Sequence, residues 1–327
     1  MRRIGIALLA VVLAVPVAWA AGALYFDLPA SGPVRAGVAA AWAVGAAVAF
    51  AVIRPLRFAL LCIALGFGVI LAWWLTIPAR QDREWRPEVA VLAHATVDGE
   101  RVTIHNVRDL DYRTEEDFTP RYADRTYDLG HLRGLDIFQC YWGSEWMAHP
   151  ILSFDFGPDG HVCFSIETRK EVGEGYSTLG GLYRHFELIY VVAEERDVVR
   201  VRTSLRQGED VYLYRLVGPL EGVRELFLTY VRRLAELHAR PEFYNALTAN
   251  CTTSVRMQRA PAKRLPFDYR MILNGKADEL LYERGLVDRT LPFEELKRRA
   301  YINPRAQAAG DAADFSARIR APDDAAR

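Results

Sequence analysis

Asn250 is a residue type that caps helices, and Cys251 follows it at the first position of a run, Thr252-Thr253-Ser254-Val255-Arg256, that reads as helix. A thiol there faces the positive end of the helix dipole and unpaired N–H groups, which favour the thiolate and make Cys251 a candidate nucleophile. The amides at that helix start, around Asn250 and Thr252, would support an oxyanion. The same position suits an inert packed cysteine, so the choice turns on whether a base is at hand. His149 opens the expected strand 149–156, whose even positions are apolar while His149, Ser153 and Asp155 share the other face. In the expected strand 161–168, Cys163, Ser165 and Glu167 share that opposite face too. Gly157-Pro158-Asp159-Gly160 joins the two as a hairpin. A three-residue loop makes paired residue numbers sum to 316 and sets His149 opposite Glu167, with Cβ atoms ~5 Å apart. A sum of 318 makes them diagonal neighbours. A carboxylate beside an imidazole can orient it in a nucleophile–base–orienter triad. A solvated His–Glu pair on an open sheet face is the alternative.

Other residues carry weaker signals. His185 with Glu187 offers a second histidine–carboxylate pair, which also reads as surface structure. Arg169 and Lys170 follow Glu167 and could contact a substrate such as a lipid phosphate, or form a charged strand end. Cys140 and Cys163 lie in expected strands, as buried thiols or, in an oxidising compartment, a disulfide. Neither choice pairs Cys251. No CxxC pair occurs and the acidic run 109–127 lacks metal-ligand spacing, so neither a metal nor a cofactor is expected.

Elements able to position these side chains follow from pattern. Runs at 101–107, 135–142, 149–156, 161–168, 183–193, 198–203 and 211–217 alternate with turn signals and predict a largely antiparallel sheet. After Pro219, apolar residues Val223, Leu226, Phe227, Tyr230, Val231, Leu234 and Leu237 recur at steps of three and four, one face of an amphipathic helix. Short helices are expected at 250–259, 268–273, 278–284 and 292–301, with 304–327 as a tail and no internal repeat. The class is α+β.

The average composition of the 327 residues, 51% hydrophobic and with 41 basic against 41 acidic side chains, hides a division. Stretches 4–26, 34–53 and 58–77 hold one charge between them, Arg35, and each is long enough to cross a bilayer core of ~30 Å. Beyond residue 77 the chain carries 36 basic and 40 acidic residues. The balance gives no electrostatic footprint for nucleic acid. Arg2 and Arg3 precede the first stretch and Arg54 and Arg57 separate the last two, whereas DLPASG between the first two has no Lys or Arg. The positive-inside rule then puts everything after three crossings outside, most simply in a bacterial periplasm with a multi-pass anchor in the inner membrane. Ala18-Trp19-Ala20 resembles a signal-peptidase site, and cleavage there would leave the topology unchanged. The domain layout is three membrane helices over 1–77, a juncture and first part of the outer domain over 78–100, a main domain over 101–303, and the tail.

Phe243-Tyr244-Asn245-Ala246-Leu247-Thr248-Ala249-Asn250-Cys251-Thr252 resembles the helix start of circularly permuted papain-like proteins, among them lecithin:retinol acyltransferase-like enzymes, in which histidine precedes cysteine. Residues 107–303 more closely resemble the Lnb N-terminal periplasmic domain family, through Val107-Arg108-Asp109, Tyr141-Trp142-Gly143, Ala148-His149, the stretch from Ser165 to Glu171, and Asn250-Cys251-Thr252-Thr253. The resemblance implies a papain-like domain acting as a thiol acyltransferase or hydrolase, with Cys251 the nucleophile and His149 the base, since the namesake N-acylates bacterial lipoproteins. Glu167 as orienter comes from strand geometry. The expected partners are membrane lipids, with lipoproteins or envelope peptides. The alternatives are a peptidase or amidase acting on cell-wall peptides and a non-catalytic envelope assembly or sensor module.

Overall fold

The computed structural model describes residues 2–246, 266, 268–271 and 274–321, with side chains from residue 8 onward. Two compact units divide the chain. The first comprises Met1–Asp82, Gly175–Glu187 and Glu242–Ala246; the second comprises Arg83–Glu174, Leu188–Pro241 and Leu247–Arg327.

Three apolar helices dominate the first unit: α1 (Arg2–Asp27), α2 (Gly32–Val52) and α3 (Leu56–Thr76). Their apolar spans of 20, 21 and 21 residues are long enough to cross a membrane. They expose Val, Leu and Phe side chains around their circumference, a surface suited to lipid rather than water.

The second unit is built on a sheet of β1 (His94–Asp98), β2 (Arg101–Arg108), β5 (Tyr122–Asp128), β6 (Gly134–Trp142), β7 (Ala148–Asp155), β8 (His161–Arg169), β9 (Glu187–Ala193) and β10 (Glu209–Arg215). The two-residue strands β3 (Asp111–Tyr112) and β4 (Phe118–Thr119) pair separately. The strand order is β1-β2-β9-β8-β7-β6-β10, with β5 also pairing with β2. The ladders β1–β2, β2–β5, β6–β7, β7–β8 and β6–β10 are antiparallel and β2 meets β9 in parallel, so this is a mixed α+β fold with a mostly antiparallel sheet.

Both sheet faces are covered. Helix α5 (Leu220–Ala239) lays its apolar stripe on one face, where Phe227 meets Phe154, Phe156 and Phe164 edge to face at 4.9–6.0 Å between ring centroids. Each such fully buried side chain contributes roughly 1.5–3 kcal/mol. The opposite face carries Phe138, Cys140, Ile151, Cys163 and Val211, packed against Ile302, Ala306, Ala309, Phe315 and Ile319.

That second cover corrects the expected tail. Helices Asn303–Ala309 and Phe315–Arg318 belong to the core, and Arg320 bonds both Asp136 and Glu195. The expected strand at 198–203 is also absent. Those residues instead form a short helix, Glu195–Val198, and one π-helical turn, Val201–Leu205. Arg108 anchors the short helix with a buried two-pronged bond to Asp197, at 3.0 and 2.8 Å. Tertiary packing thus overrides the strand preference of a β-branched run.

Candidate active site

The hairpin Gly157–Asp159 closes with Phe156 N–H donating to Gly160, and β7 and β8 pair with numbers summing to 316, as in Ile151 with Ser165 and Asp155 with His161. Continued two residues past the paired ladder, this register points His149 and Glu167 at each other from neighbouring strands. The sheet face they occupy is not open to water as an unfunctional surface pair would be: their side chains are 13% and 23% exposed.

The two do not bond directly. His149 Nε2 lies 3.7 Å from Glu167 Oε1, and Ser165 Oγ sits between them, 2.6 Å from the ring nitrogen and 2.7 Å from the carboxylate. Ser165 donates its only hydroxyl proton to Glu167, so its oxygen accepts from His149 and the proton belongs on Nε2. That leaves Nδ1 as the basic nitrogen of the ring.

Arg202 supplies the charge that fixes these states. Its guanidinium reaches Glu167 at 3.4 Å and Glu209 at 3.1 Å, and it is 8% exposed. Burial, then Arg202 and Arg206, push the His149 imidazole down to about 3, against the upward pull of Glu167. Burial alone would raise Glu167; Arg202 above all, with Arg108 and the Ser165 bond, overcomes it and holds the carboxyl well below its ordinary range. At neutral pH the site is a neutral imidazole, a serine bridge, an anionic carboxylate and a cationic guanidinium. Ser165 was legible as sharing the His149 face. Arg202 was not, because its segment reads as strand.

A turn near the C-terminal end of the unit holds the strand that carries His149. Asn274 Oδ1 accepts from Ala148 N–H at 3.0 Å, Gly275 N–H donates to Trp146 O at 3.1 Å, and Gln139 donates to Asn274 O. Tyr141 and Tyr214 then bring their hydroxyls to the buried Asp278 carboxylate, which also pairs with Lys297.

The other candidate residues fall elsewhere. Asn250, Cys251 and Thr252 lie outside the described residues. Arg169 is corrected from a substrate contact to a structural one: it is 4% exposed, its guanidinium donates to Val89 O and Ala90 O, and it stacks over Trp85. Beside it, burial and then Arg86 lower the Lys170 ammonium. Cys140 and Cys163 are buried free thiols, the first of the two readings open for them. Cys140 faces His149 across the β6–β7 register, but burial raises its thiol to about 12, which removes it as a nucleophile. His185 and Glu187 belong to the first unit, where His185 packs on Phe26 and Phe186 and Glu187 accepts from Arg80 N–H. Ligand atoms of Asp136, His161 and Glu195 lie within 4.8 Å of one another, but Arg320 already pairs with both carboxylates and Arg215 pairs with Asp136 as well.

A buried histidine–serine–carboxylate relay in a mostly antiparallel α+β domain, carried in one chain with three membrane-length helices, defines a membrane-anchored globular module. Residues 118–275, a stretch that holds His149, Ser165, Glu167, Arg202 and Cys251, match the family model described as the Lnb N-terminal periplasmic domain. The module therefore faces the periplasm. No curated protein and no solved structure matches the chain.

Proposed function

We propose that this is a cysteine acyltransferase or hydrolase acting at the periplasmic face of the bacterial inner membrane, with α1 to α3 as a multi-pass anchor. One observation carries the reading: His149 is held by Ser165 and Glu167 with its proton on Nε2, which presents Nδ1 as a base. A thiol is the acid that such a base would serve, and Cys251, which follows the cap-type residue Asn250 in the sequence, is the thiol the sequence offers. A substrate at the membrane is consistent with three membrane-length helices being carried in the same chain.

In this mechanism the Cys251 thiol gives its proton to His149 Nδ1 and the sulfur attacks the carbonyl carbon of an acyl ester. The thiolate beside it then stabilises the imidazolium that burial and Arg202 otherwise disfavour. Amides at the helix start, by Asn250 and Thr252, hold the oxyanion. Collapse expels the alcohol, which takes the proton from His149, and leaves an acyl thioester on Cys251. An amine, or water, then attacks the thioester and regenerates the thiol. A phospholipid or lipoprotein ester is the proposed donor and an amine the proposed acceptor.

The test is to incubate full-length protein in detergent with an acyl-labelled phospholipid, quench in acid and look for hydroxylamine-labile label on Cys251. Label present in wild type and absent from Cys251→Ser supports the reading. Label absent from wild type, with turnover of a cell-wall peptide instead, makes the domain a peptidase or amidase. Neither activity makes it a binding or sensing module.

A further inference from the structure

Within the first unit, the Gly175–Glu187 segment is fastened to the ends of α1 and α3 that follow from the outward topology. Arg184 donates through Nη1 to Leu75 O at 3.1 Å and Ile77 O at 2.6 Å, capping carbonyls of the last turn of α3, and its guanidinium lies 4.5 Å from the Trp74 ring centroid. Asp27, the last residue of α1, accepts from Arg184 N–H and from Trp74 Nε1 through the same oxygen, at 3.0 and 2.6 Å. Tyr183 goes deeper, stacking on Phe26 at 5.2 Å and reaching Trp19 at 6.2 Å. Its hydroxyl sits so close to Gly22 that a Cβ there would overlap it. Gly22 is five residues inside the end of α1, about 7–8 Å along the helix axis.

Five consecutive amides of this segment, those of residues 180–184, are satisfied from within the unit. The N–H groups of Gly180, Gly181, Leu182, Tyr183 and Arg184 donate to Ser177 Oγ, Ser177 O, Leu179 O, Gly180 O and Asp27. Ala246 N–H donates to Gly181 O at 2.7 Å. A water-exposed loop has no need of such closure, whereas lipid tolerates irregular backbone only when its polar groups are bonded within the protein. Leu179, at 63% exposure, and Tyr176, at 49%, nevertheless point outward from it. An apolar side chain and an amphipathic ring displayed at the end of a membrane helix bundle match the boundary between headgroups and acyl chains.

We propose that the Gly175–Glu187 segment is inserted into the outer leaflet and that phospholipid is the partner of its exposed face, with Leu179 among the acyl chains and Tyr176 at headgroup level. The inference rests on α1 to α3 crossing the bilayer and not on the thioester chemistry. It gives the protein a lipid contact beyond its three helices, made by a loop of the globular chain.

Site-directed spin labelling tests it on the full-length chain, reconstituted in phosphatidylethanolamine–phosphatidylglycerol vesicles with Cys62→Ser and Cys251→Ser removing the other reactive thiols outside the core. Labels go on Leu179→Cys, on Val44→Cys in the middle of α2 as a lipid reference, and on Val97→Cys in β1 as a water reference; Val44 and Val97 are exposed in the structure. The ratio of oxygen to nickel-chelate collision rates is expected to be severalfold higher at 179 than at 97, approaching the value at 44. A ratio at 179 equal to that at 97, with 44 lipid-like, overturns the proposal while leaving the membrane anchor intact; a water-like ratio at 44 overturns both. Gly22→Leu, which must displace Tyr183, should move the 179 ratio toward that of 97, with Tyr183→Ala as the milder variant. No movement in either would mean that docking on α1 does not hold the segment in lipid.

Discussion

Lowering the pH from 7 to 5 should destabilise the wild-type outer domain more than the His149→Gln variant. The folded ring binds its proton less readily than the unfolded one, so unfolding takes up a proton once the pH falls below the usual 6.5. The stabilising contribution is therefore full above 6.5 and is lost progressively as the pH falls toward about 3, the folded-state value. Over pH 7 to 5 the loss comes to about 2 kcal/mol, an upper figure because the ring keeps 13% exposure. In a unit of this size that is about 4–8 °C of melting temperature. The Glu167 contribution has the opposite origin, a carboxylate held low, and fades only below the ordinary carboxylate range of ~4.3, outside this window. Thermal scans in detergent at several pH values, followed by near-ultraviolet circular dichroism, give both curves. Parallel curves for wild type and variant would refute the assignment of a buried neutral imidazole to His149.

Cys251→Ser and His149→Gln should each abolish acyl transfer, the first within ~1 kcal/mol of wild-type stability, as read by thioester trapping and melting together. Arg320→Met should cost about 3–5 kcal/mol, because it leaves Asp136 and Glu195 buried at 2% and 0% exposure with less cationic compensation; denaturant titration measures it. Gly275→Ala places a Cβ against the Glu145 carbonyl and the Trp146–Met147 peptide, so it should lower stability by ~2 kcal/mol or more and depress activity through the strand that carries His149. A periplasmic reporter fused after Arg327 should be active and a cytoplasmic one silent; the reverse result would place the domain in the cytosol and remove lipoproteins and cell-wall peptides from the substrate list.

The sequence made some of this geometry readable and hid the rest for identifiable reasons. A loop of fixed length between two alternating strands sets pairing arithmetic, which is why the 316 register and the facing of His149 and Glu167 could be worked out from residue numbers. The seven apolar positions of α5 have enough hydrophobic contrast to show a helix period. The closing helices do not: Ile302, Ala306 and Ala309 fall on one helical face, but alanine has too little hydropathy to mark it. Arg202 and Arg169 escaped for another reason. Each is defined by partners far along the chain, Glu167 for one and Val89 with Trp85 for the other, and no local pattern encodes such pairings.

The burial of Phe315, Ile319 and Arg320 sets a schedule for biogenesis. The short helix after β9 carries Glu195, so this buried carboxylate waits for a guanidinium supplied more than a hundred residues later, and Asp136 on β6, which Arg215 also meets, completes its pairing only then. One sheet face stays open to solvent over the same interval, with Phe138, Ile151 and Val211 uncovered. Export must therefore hand the periplasm a long, sticky, half-closed intermediate, and residues up to 320 must clear the membrane before the domain can shut. Periplasmic holdases and quality-control proteases have their opportunity in that gap, and a stop codon a dozen codons before Arg320 would be expected to act on protein abundance rather than on any step of the chemistry.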